Sequence, residues 1–95
     1  MFHINIHCKP TPSNEEFFEN CVGAHAVILI NYKDVDGAFE LAKFYVEEND
    51  WEIIEVESEY FSYESKEDLG EFEKFYDEII KYGYSMIFYT YESDE

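Results

Sequence analysis

The hydrophobic pattern of the chain divides it into strand-like and helix-like stretches. Phe2, Ile4, Ile6 and Cys8 alternate with His3, Asn5 and His7. A period of two marks a strand with one buried face. Pro10 and Pro12 end it, since proline cannot donate to a ladder. Ser13-Asn14-Glu15-Glu16 reads as a helix start capped by Ser13. Gly23 leaves room for only about two turns after it. Ala24–Tyr32 is rich in β-formers and apolar on both parities from Ala26 to Ile30, which fits a central strand.

Asp34 or Asp36 is placed to cap a helix. Val35, Ala38, Ala42, Tyr45 and Val46 recur at helical spacing, flanked by Phe39 and Leu41. Asn49-Asp50 ends it, asparagine being tolerant of the left-handed conformation. Trp51–Glu59 is the third strand, and Tyr60–Tyr63 either extends it or forms an aromatic loop. Ser65 with Asp68 resembles a capping box. It precedes a second long helix whose buried stripe is Leu69, Phe72, Tyr76, Ile79 and Ile80. Gly83 is its C-cap. Tyr84–Tyr91 is the last strand, and Glu92–Glu95 is a charged tail.

The order is β, a short helix or loop, then β-α-β-α-β. Helical connections of this length imply right-handed parallel crossovers. The expected fold is a single α/β (α+β) domain over residues 1–95. It is a two-layer sandwich: a four-stranded mixed sheet with two long helices on one face. The alternative makes Tyr60–Tyr63 a separate strand. That gives the ferredoxin-like order β-α-β-β-α-β with an extra N-terminal strand.

Charge changes the functional picture. The chain has 23 acids, 6 lysines, no arginine and a net charge of −17, which works against nucleic acid and anionic membranes as ligands. Aromatic residues make up 20% of it, which argues against disorder in spite of that charge. The partner that suits this surface is a basic protein or a divalent cation. The plainer reading is that the charge keeps the protein in solution. The apolar run Ala24–Ile30 is too short to span a bilayer. Met1–Lys9 lacks the pattern of a secretory leader. Two cysteines are too few for a disulfide framework, so a cytoplasmic protein with reduced thiols is expected.

The residues best placed to bind a partner are Trp51, Ile53, Glu55, Glu57 and Glu59. On a regular strand they share one face, with successive members about 6.6 Å apart. Ile54 and Val56 would then point to the helices. An apolar anchor beside a charged rim is the anatomy of a protein interface. The plainer reading is a solvated face with Trp51 tucked under a loop. The acids of the last helix, Glu67 to Glu78, read most simply as an ordinary polar face. Exposed members of the set Tyr60, Phe61, Tyr63, Tyr82, Tyr84, Phe88, Tyr89 and Tyr91 would add aromatic contact area.

His7, Cys8, Cys21 and His25 are ligand types that suit zinc, but their spacing does not, and His7 and Cys8 point to opposite sides of a strand. No metal and no cofactor are expected. No histidine or cysteine has an activating partner at a diagnostic offset, and no phosphate-binding or nucleophile motif is present, so no catalytic residue is assigned. In size, charge and aromatic content the chain resembles small acidic bacterial inhibitor and immunity proteins, a likeness that transfers no residue roles. The expected function is a non-catalytic acidic module that occupies a basic site on a partner. The alternative is a stand-alone regulatory or structural domain that self-associates, as a homodimer for example, or binds a divalent cation.

Overall fold

The computed structural model describes residues 1–92. Strands β1 (Phe2–Pro10) and β2 (Gly23–Ile30) form the middle of a four-stranded sheet. Strand β3 (Trp51–Ser62) lies beside β1 and β4 (Tyr84–Tyr91) beside β2, giving the order β3-β1-β2-β4. Every neighbouring pair is antiparallel, so the expected mixed sheet is corrected. The reason is topological. β2 and β3 do run the same way, joined by helix α1 (Val35–Glu48), but β1 lies between them. Helical spacing set the direction of those two strands and not their adjacency; for β3 and β4 the expected parallel crossover is corrected too, since they run in opposite directions.

The expectation of both helices on one face is also corrected. Ile4, Ile6, Cys8, Ala24, Ala26, Ile28 and Ile30 pack under the buried stripe Ala38, Ala42 and Val46 of α1. Alanine at two of these positions lets helix and sheet approach closely. The odd residues Val27 and Leu29 point the other way, to Leu69, Phe72 and Ile79. A centre apolar on both parities thus has cover on both sides. α1 crosses one face from β2 to β3. The chain then returns across the other face from β3 to β4.

Asp34 caps α1 by accepting from the Gly37 N–H at 2.7 Å. At the far end Asn49 donates to the Tyr45 carbonyl at 2.7 Å, and it is Asp50, φ 65°, that takes the left-handed conformation. The second helical stretch is not one long helix. It is a 3-10 helix, Glu67–Phe75, broken at Gly70 (φ 58°, ψ −121°), followed by the short α2, Tyr76–Tyr82. That backbone angle suits glycine and interrupts the helical ladder. Gly83 closes α2 as expected, with φ 90° and its N–H on the Ile79 carbonyl at 2.7 Å.

Residues 11–22 form turns in place of the short helix. Asn14, not Ser13, organises them: it is buried, accepts from the Phe17 N–H and donates to the Asp50 carbonyl, both at 3.2 Å. Tyr60, Phe61 and Ser62 continue β3, so the ferredoxin-like alternative, which needs a separate strand, is not the fold. Tyr63 is tied back to the chain start, its N–H on the Met1 carbonyl at 2.8 Å. No helix among the described residues is long and apolar enough to cross a membrane.

Candidate functional site

The geometry of β3 decides where the expected binding residues lie. Ile53 stands opposite Cys8 and Glu55 opposite His7, which leaves Ile54 as an extra residue. Val56 opposes Ile6 and Tyr60 opposes Ile4, so residues 57–59 all fall across from Asn5. Each bulge resets which side of the sheet the following side chains face.

Trp51 is 3% exposed. It lies between Phe17, 5.4 Å away, and Phe88, stacked at 4.8 Å and 11°. Ile53 and Val56 join the same core beneath α1. Trp51 and Ile53 are therefore packing residues, and their expected role as surface anchors is corrected. The glutamates do not follow them inward, because the bulge at Ile54 reverses the alternation. Glu55 takes the opposite face, in register with His7, and Glu57 and Glu59 lie exposed in the second bulge. Ile54, expected in the core, is 50% exposed.

The surface that results is the outer strand itself. Glu55, Glu57 and Glu59 share it with three exposed apolar side chains, Ile54, Tyr60 and Phe61. Lys9 bonds Glu52 at 3.0 Å and partly offsets the charge at one end. Sequence reasoning missed Ile54, and no turn residue or glycine in β3 marks the bulge that exposes it.

The histidines and cysteines separate. His7 and His25 are cross-strand partners whose rings stack at 4.7 Å and 15°, and the Tyr91 hydroxyl hydrogen-bonds His7 Nε2. Cys8 and Cys21 lie in the core on the other face. The Cys8 thiol donates to the Ala24 carbonyl at 3.6 Å. Burial, with Cys21 close by, pushes it up to about 12, so it stays protonated and is a poor ligand and nucleophile. Among the described residues, no three His, Cys, Asp or Glu side chains converge where they could hold a metal.

His3 is buried beneath Phe72 and linked to Tyr63 Oη at 2.9 Å and Asn5 Oδ1 at 3.1 Å. Burial lowers its pKa, partly offset by Asn5 and Glu71. It has structural partners on both nitrogens. No family model, curated protein or solved structure matches this chain.

Proposed function

We propose that the chain is a non-catalytic acidic binding module of the inhibitor type. It docks through β3 on a basic site of a protein partner. The observation that supports this is one exposed strand carrying Glu55, Glu57 and Glu59 together with exposed Ile54, Tyr60 and Phe61. Carboxylates steer a basic partner and set the rate of encounter. Desolvated aromatics then supply most of the affinity. The same charge repels nucleic acid and anionic lipid.

The test starts from a partner captured at low salt. Phe61→Ala should weaken its binding by about 2 kcal/mol. Replacing Glu55, Glu57 and Glu59 together by Gln should slow association and flatten its salt dependence, leaving the melting temperature near that of the wild type. A partner that binds the triple variant with unchanged rate and salt response sinks the reading.

A further inference from the structure

The two outer strands of the sheet are built differently. β3 is bulged twice and lined with glutamates, two devices that keep a strand from pairing with another. β4 has neither. Its sequence, YSMIFYTY, contains no Asp, Glu, Lys, Pro or Gly. Its register with β2 runs unbroken from Gly23↔Tyr91 to Ile30↔Tyr84.

The backbone of β4 is open on its outer side. The Asn31 N–H donates to the Gly83 carbonyl at 2.9 Å and the Val22 N–H to the Tyr91 carbonyl at 3.0 Å. Odd-numbered residues therefore turn their backbone groups toward β2. In an antiparallel ladder the intervening residues turn theirs away. These are Tyr84, Met86, Phe88 and Thr90. Among the described residues no strand pairs with them. Shallow hollows of mixed character flank the strand, one lined by Tyr82, Tyr84, Met86 and Phe88 with Glu78 and Ser85, the other by Phe72, Phe75, Ile87 and Tyr89 with Glu71 and Lys74.

We propose that β4 is a self-association edge on which two copies of the chain pair antiparallel about a twofold axis at Ile87. The outward residues are symmetric about that position. Tyr84 meets Thr90 of the second copy and Met86 meets Phe88, so all four outward residues find backbone partners. Residues paired in this way keep the same face, so each helical layer continues across the axis and two four-stranded sheets become one. Charge selects the edge on which two copies can meet. Two chains of net charge −17 repel, and β4, unlike β3, carries no ionised side chain of its own, the nearest being Glu71, Lys74 and Glu78 in the hollows beside it. A basic partner is drawn instead to the glutamates of β3. The proposal is independent of the function proposed for β3.

Sedimentation equilibrium tests it. The wild type should run at twice 11.4 kDa and pair more tightly as salt rises to about 1 M. Thr90→Pro removes one outward N–H at an exposed residue and leaves the ladder to β2 intact. Tyr89→Glu puts a carboxylate beside the axis. Each should raise the dimer Kd at least about tenfold, equivalent to about 1.4 kcal/mol. The Glu55, Glu57, Glu59 to Gln variant should pair at least as tightly as the wild type. Circular dichroism checks each fold, and if Thr90→Pro fails to fold then Tyr89→Glu decides. A wild type that stays at 11.4 kDa at high salt overturns the proposal. So does a folded Tyr89→Glu that pairs as the wild type does, or assembly that continues beyond two copies.

Discussion

His3 shows how a single residue ties this fold to pH. Its ring lies inside an apolar layer with both nitrogens engaged by Tyr63 and Asn5. Burial holds its pKa below the ordinary 6.5, so the folded state binds a proton less readily than the unfolded one. Acid therefore favours unfolding. The contribution is complete above the ordinary value and is lost as pH falls through it toward the lowered one. Between about pH 7.5 and 5 the melting temperature of the wild type should fall more steeply than that of His3→Gln. Parallel curves for the two proteins would show that His3 titrates alike in both states. Cys8 is the simpler case: with its thiol pushed up to about 12, it is a small hydrophobe at neutral pH.

At the scale of elements, β3 shows why a strand cannot be read by parity alone. Ile53 packs in the core and its neighbour Ile54 does not. Ile53→Ala should cost about 2 kcal/mol. Ile54→Gln should stay within about 0.5 kcal/mol. Urea unfolding measures both, and equal costs would mean that the bulge at Ile54 is misplaced. The first strand, the capped helix after Asp34 and the Gly83 stop were legible because alternation, helical spacing and cap chemistry are local signals. The bulge was not, since it arises from pairing with β1, a partner distant in sequence. The break at Gly70 was missed for a related reason. An isolated glycine in a helical pattern does not reveal its own backbone angles. The apolar pattern on both parities of β2 already required cover on both faces, and placing both helices on one face neglected it. Of the expected binding residues, the three glutamates stayed on the surface while Trp51 and Ile53 went inside.

For the whole molecule, charge is the dominant liability. The net charge is −17, and two lysine–carboxylate pairs are present among the described residues, Lys9–Glu52 at 3.0 Å and Lys43–Glu40 at 2.9 Å. Lys66, Lys74 and Lys81 instead lie over the rings of Tyr76, Phe75 and Tyr82 at 5.6, 5.3 and 5.2 Å. Most of the acids therefore repel one another through water, and added salt should screen that repulsion. The melting temperature should climb from about 10 to 500 mM salt. A flat profile would show self-repulsion to be minor. The strand order carries one more consequence. β1 is inserted between β2 and β3, two strands that the chain supplies only later. Without it, β3 would stand alone across an empty slot from the β2–β4 pair. Phe2–Pro10 is thus a keystone, and any segment that offered apolar side chains at every second position could compete for its place.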